Sequence, residues 1–174
     1  YKEKKINSPE DLDGLKIRVM ESKTAFDMVK ALGGSPTPIS FGELYTSLQQ
    51  GVVDGAENNP PSFYLSRHYE VCKYYTLDEH TILPDVLLMS THIWDSFSDQ
   101  ERGWLSQAVK KSVIEQRKLW AESEKQSLDA VKEAGVEIII PDKTLFSKKS
   151  KKILESYKED EVLYDFINRI KNTK

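Results

Sequence analysis

The stretch Phe41-Gly42-Glu43-Leu44-Tyr45-Thr46-Ser47-Leu48-Gln49-Gln50-Gly51-Val52-Val53-Asp54-Gly55-Ala56-Glu57-Asn58-Asn59-Pro60 decides how the chain is read. Ser40 and Glu43 have the S-x-x-E spacing of a capping box, which predicts a helix from Phe41. Leu44, Tyr45 and Leu48 recur at helical spacing, and Gly51 supplies the left-handed residue that ends the helix. Val52-Val53 is β-branched and apolar, as a short strand covered on both faces should be. Glu57, Asn58 and Asn59 follow the Asp54-Gly55 turn and all end in hydrogen-bonding groups. In an open α/β sheet, ligands sit at the carboxyl ends of the strands, so this polar cluster is placed to bind something small.

Upstream, Ser8-Pro9-Glu10-Asp11 carries a helix-start signal, and Leu15-Lys16-Ile17-Arg18-Val19 alternates like a strand. Thr24 to Leu32 reads as an amphipathic helix with Phe26, Val29 and Leu32 inward, stopped at Gly33-Gly34. Ser35 to Ile39 is extended because its prolines bias the preceding residues toward β or polyproline geometry. Strand–helix–strand–helix–strand is the signal of a parallel α/β sheet. Downstream, Pro60-Pro61 opens a helix whose pattern runs over Ser62 to Tyr75, and the apolar Val86 to Met89 predicts a central strand. Ser98-Asp99-Gln100-Glu101 is a second capping box, opening a long, kinked helix to about Glu133. Val136 to Ile140 reads as a strand, and helices over 144–158 and 161–171 close the chain.

The 174 residues are 39% hydrophobic and 30% charged, an ordinary globular composition. A net charge of −3 argues against a binder of nucleic-acid phosphates. No apolar run approaches the roughly 20 residues that cross a bilayer. Cys72 is the single cysteine and has no partner for an internal disulfide. Neither G-x-S-x-G, H-E-x-x-H, G-x-x-x-x-G-K-[ST] nor G-x-G-x-x-G occurs, and the three histidines lack metal-ligand spacing. No cofactor or metal is therefore expected.

Three pieces in order, Asp13 to Val19, Leu32 to Pro38 and the stretch from Phe41 to Pro60, resemble the signature of the extracytoplasmic solute receptors of TRAP transporters, the DctP family. The resemblance runs to the end of the chain and corresponds to the C-terminal portion of a two-lobe receptor. It implies a periplasmic-binding-protein-like α/β lobe, with a mostly parallel sheet flanked by helices. A long helix would bridge from it to a first lobe. Residues of about 8–80 and 126–174 would form the second lobe, and about 81–125 would return toward the first. A chain without that first lobe would leave the returning segment poorly covered, which predicts domain swapping, self-association or an exposed apolar patch.

The resemblance also assigns roles. Arg18 stands where the family grips the ligand carboxylate, a task that suits a planar guanidinium fork. Without the motif, Arg18 would read as a surface arginine paired to a nearby acid. Asn58 matches a ligand-contacting asparagine; Asn59 is better placed to cap the helix at Pro60, which frees Asn58. Phe41 matches an apolar wall of the cleft, or is equally a core aromatic. Glu21, just past Arg18, would disfavour a second ligand carboxylate and tilts the ligand from a C4-dicarboxylate toward a sugar acid. Glu43 is sufficiently explained by Ser40, and His80 would join a polar network behind Arg18 or simply be a satisfied hydrogen-bonder. The function implied is capture of a small organic acid for a membrane permease, in the periplasm or on a lipid anchor outside the cytoplasm. A small α/β enzyme or a ligand-sensing domain acting on a carboxylate is the competing reading.

Overall fold

The computed structural model describes residues 1–173. Four elements bear directly on the site: β1 (Lys16–Val19), α1 (Lys23–Leu32), β2 (Ser35–Pro38) and α2 (Leu44–Gln50). They are followed by β3 (Gly55–Ala56), α3 (Pro60–Leu65), β4 (Tyr74–Thr76), α4 (Thr91–Ser96) and α5 (Asp99–Glu133). The chain closes with β5 (Glu137–Ile139), α6 (Lys143–Ser156) and α7 (Glu161–Lys171). Short 3-10 turns occupy Pro9–Leu12, Phe41–Glu43, His68–Glu70 and Tyr157–Glu159.

β1 lies between β2 and β3, parallel to both, with Arg18 opposite Thr37 on one side and Ala56 on the other. β4 and β5 form a second parallel pair. The parallel α/β expectation holds. Successive strand residues point to opposite faces, and Ile17 and Val19 enter a core with Leu12, Val29, Leu32 and Phe146, under α1 and α6. A second core gathers Leu44, Leu48, Val53, Phe63, Val131 and Val136 from α2, α3 and the end of α5. Arg18, between them in sequence, thus points to the opposite face of the sheet from the first core.

The third strand forms three residues later than the Val52-Val53 pattern predicts. Asp54 holds Lys16 with both backbone and side chain: its N–H donates to the Lys16 carbonyl and its Oδ2 accepts from the Lys16 N–H, each at 2.8 Å. Val53 drops into the second core while Val52 is exposed. Gly55 then pairs with Ile17, and a Cβ there would meet the Tyr1 ring at 2.5 Å, so only glycine fits.

Other expectations are corrected. The Ser40/Glu43 box does not cap an α-helix: the first turn is 3-10, and the Ser40 hydroxyl donates to the Glu43 carboxylate instead. Phe26 is not inward; Met28 takes the buried position with Val29 and Leu32. The helix expected over Ser62 to Tyr75 stops at Leu65, and Tyr74–Thr76 is a strand because β5 offers it a parallel partner. Val86 to Met89 is no strand; residues 77–90 have no regular structure. Each backbone N–H and C=O of a strand needs a partner strand, and none of the described residues supplies one there. α5 is one uninterrupted helix of 35 residues rather than a kinked one, and its Ser98/Glu101 capping box forms as expected. Only its C-terminal part is buried, through Ser127 and Val131, and packs on α3. Its earlier turns carry exposed Trp104, Ile114 and Leu119.

Candidate functional site

Arg18 is 3% exposed, at the penultimate position of β1. Its Nε donates to the Ile39 carbonyl at 2.8 Å, which fixes the plane of the guanidinium. The Phe41 ring lies beside it, with Cζ 5.8 Å from the ring centroid, in the range of a cation–π contact. Among the described residues no carboxylate forms an ion pair with Arg18. Burial lowers its pKa and the Glu57 charge works against that. A guanidinium remains a cation under such a shift. The surface ion pair that Arg18 would suggest without the motif is absent among the described residues, and a buried, positioned cation stands in its place.

Asn58 follows β3 by two residues. Its Oδ1 accepts from the Asn59 N–H at 2.9 Å, and its carbonyl accepts from the Tyr75 hydroxyl at 2.7 Å. Its Nδ2 is buried with no hydrogen-bond partner among the described residues. Buried polar groups are paired as a rule, so this donor is poised for an acceptor that is not part of the chain. Asn59 caps α3 as expected, its Oδ1 accepting from Ser62 N–H at 2.9 Å.

Behind these two groups stands a set of acids and a histidine. Glu57 is half-buried; burial raises its pKa, against which His80 and Arg18 pull down. His80 Nδ1 lies 2.7 Å from Asp78 Oδ1, and its Nε2 is buried and without a partner among the described residues. Burial pulls the imidazole pKa down, but the hydrogen bond to Asp78 and the Asp78 and Glu57 charges outweigh it and raise it. Glu57 therefore sits electrostatically between Arg18 and His80. The sequence reading placed Glu57 in the polar cluster after the strand without giving it a role, and placed Asp78 and Tyr75 in no site. The usable signal was Glu57 lying directly before Asn58 after a strand end.

The other candidates lie elsewhere. Phe41 is 48% exposed for an aromatic ring, which favours a wall over a core role. Glu21 is exposed, in the turn between β1 and α1, and no described contact joins it to Arg18. Glu43 is exposed and engaged with Ser40. His68, 3% exposed, packs edge-on against Phe41; sequence reasoning placed it only in the longer helix. A concavity of about 480 Å3 lies away from these groups, along Ser112, Leu119 and Trp120 of α5. It lies on one face of α5, where Glu115, Gln116 and Ser123 also line it.

The profile of the bacterial extracellular solute-binding proteins, family 7 (DctP), matches residues 1–160. The chain belongs to this family. A solute-binding protein of Chromohalobacter salexigens is 40% identical over 156 residues, 89% of this chain and 46% of the relative. Two solved structures are also similar, both described as TRAP periplasmic solute-binding proteins. One, from Chromohalobacter salexigens with bound D-glucuronate, has 37% identity and a TM-score of 0.94, covering 99% of this chain and 58% of its own. The other, from a Sulfitobacter species with bound β-D-galacturonate, has 38% identity and a TM-score of 0.92, with the same coverages. The chain spans about half the length of the curated relatives it matches. This DctP-family chain thus has the α/β, parallel-stranded lobe of its family, and its solved neighbours are described as receptors rather than enzymes.

Proposed function

We propose that this chain forms the ligand-gripping lobe of a TRAP solute receptor that captures a hexuronate-like sugar acid and hands it to a membrane permease. The supporting observation is the pairing of a buried, positioned Arg18 cation with the partnerless Nδ2 of Asn58 at neighbouring strand ends. A carboxylate would take two charge-assisted hydrogen bonds from the Arg18 fork, and the Asn58 amide would donate to a second ligand oxygen. Phe41 would cover the apolar face of a pyranose ring, while Glu57, Asp78 and His80 would brace the anion-binding cation. Glu21 at the mouth would accept from ligand hydroxyls and disfavour a second carboxylate.

Residues of about 8–80 and 126–174 would be the second lobe, and about 81–125 would cross toward a first lobe that supplies the other half of the cleft. Ligand would then bias an open–closed equilibrium of the two lobes. The receptor would work outside the cytoplasm, free in the periplasm or held by a lipid anchor.

Titration calorimetry of the full receptor with D-glucuronate, D-galacturonate and succinate tests this reading. Tighter binding of the uronates than of succinate, lost on Arg18→Ala, is the expected result. Turnover of any of these acids by catalytic amounts of protein would overturn it in favour of an enzyme.

A further inference from the structure

His68 is the residue on which the geometry of Phe41 rests. The residue is 3% exposed, and its imidazole meets the Phe41 ring at 5.7 Å between centroids with planes at 72°, an edge-to-face contact. Phe41 presents its ring to the Arg18 guanidinium as well, at 5.8 Å, while nearly half of the residue remains open to solvent. A half-open aromatic at a 3-10 turn is free to swing unless a neighbour stops it, and here the neighbour is a histidine. A leucine would fill the same space without desolvating two ring nitrogens. An aromatic edge, by contrast, carries the partial positive charge that seats against a phenyl face.

The backbone holds His68 to this task. Arg67, just before it, adopts φ +57°, a left-handed conformation that a non-glycine residue takes only at a cost. This turns the chain sharply between α3 and the 3-10 turn of His68 to Glu70. The turn is tied to α2 by the Tyr45 hydroxyl, which donates to Glu70 Oε2 at 2.9 Å. Phe41 lies at the start of that same helical segment, so the tether fixes the distance between the two rings.

Building on the carboxylate-site reading above, we propose that His68 is a positioning residue: it holds the Phe41 ring against Arg18 and so presents the guanidinium fork to the ligand. His68 touches Phe41, and its effect on the fork would pass through that ring. A double-mutant cycle in the full receptor, with D-glucuronate as probe, reads this directly. Expected is an affinity about tenfold weaker for His68→Ala, the size of one aromatic pair, and a much smaller further loss when the same change is made on Phe41→Ala. His68→Phe restores the affinity; His68→Leu, equally apolar, does not.

A readout without ligand accompanies it: hydrogen exchange at Arg18 Nε, protected by its bond to Ile39, quickens in His68→Ala and His68→Leu but not in His68→Phe. Additive losses in the cycle, or exchange that is the same in all variants, would overturn the role. If the unaltered receptor binds no uronate, the sugar-acid reading fails, and the Arg18 exchange still decides for or against His68.

Discussion

Two regions of the chain obey opposite rules. In the body around β1, apolar residues are buried and polar ones are placed: Leu44 and Val53 are fully covered, and Arg18 is locked by a single backbone carbonyl. From residue 81 to the middle of α5, apolar residues are instead left in water, with Ile82 at 90% and Leu88 at 82% exposure. Hydrophobic sequence alone does not make a core; it needs a facing layer. The body supplies that layer from α1, α2, α3 and α6, whereas the projecting segment finds none among the described residues. Contiguous exposed apolar surface of this kind marks a place for another protein surface.

The sharpest break between the two regions is in binding. Arg18→Ala should cost about 3–6 kcal/mol of sugar-acid affinity, two charge-assisted hydrogen bonds at about 1.5–3 kcal/mol each, with uronate calorimetry as the check. A change of the same kind in the projecting segment, Leu119→Ala, should leave affinity per folded molecule unaltered. Next comes stability. Leu44→Ala removes a fully buried side chain and should cost about 2–5 kcal/mol, whereas Leu87→Ala should stay within about 0.5 kcal/mol; urea unfolding of the two variants measures the contrast.

Limited proteolysis sharpens the picture further. Chymotrypsin should cut this chain at Leu87 or Leu88 before any bond of the body, because these residues are exposed and outside regular structure. Equal rates of cutting in the body would erase the distinction between the regions.

The smallest expected effect concerns pH. The native pKa of His80 is raised, so the protonated form is favoured by folding, chiefly through Asp78. Its contribution is fully present below the unfolded value of about 6.5 and is lost as pH rises through the raised native value. Thermal melts should therefore show a few degrees less stability above that window than below it, on the order of one hydrogen bond. His80→Gln should remove that step while leaving the slope from the exposed carboxylates.

The chain's punctuation was legible from the residues themselves. Gly33, Gly51 and Gly135 stop their helices at positive φ, and Ser98 with Glu101 and Asn59 cap theirs as their types and spacing dictate. Arg18 and Asn58 were singled out by the resemblance to the family signature; the residues alone showed only a polar cluster after a strand end and would have left Arg18 a surface arginine. Glu57, Asp78 and Tyr75 were harder to find, since their bearing on Arg18 and Asn58 passes through space.

Sequence by itself thus determined those helix ends that a side-chain cap or a left-handed glycine marks, at Gly33, Gly51, Asn59, Ser98 and Gly135, because these satisfy backbone groups within a few residues. Tertiary structure decided the rest. It moved the third strand from Val52-Val53 to Gly55-Ala56 by clamping Asp54 to Lys16, made Tyr74–Thr76 a strand through β5, and denied one to Val86–Met89. It also set His68 against Phe41, 27 residues away. A strand, a buried cation and an aromatic contact all need partners distant in the chain, and only the folded molecule brings those partners within reach.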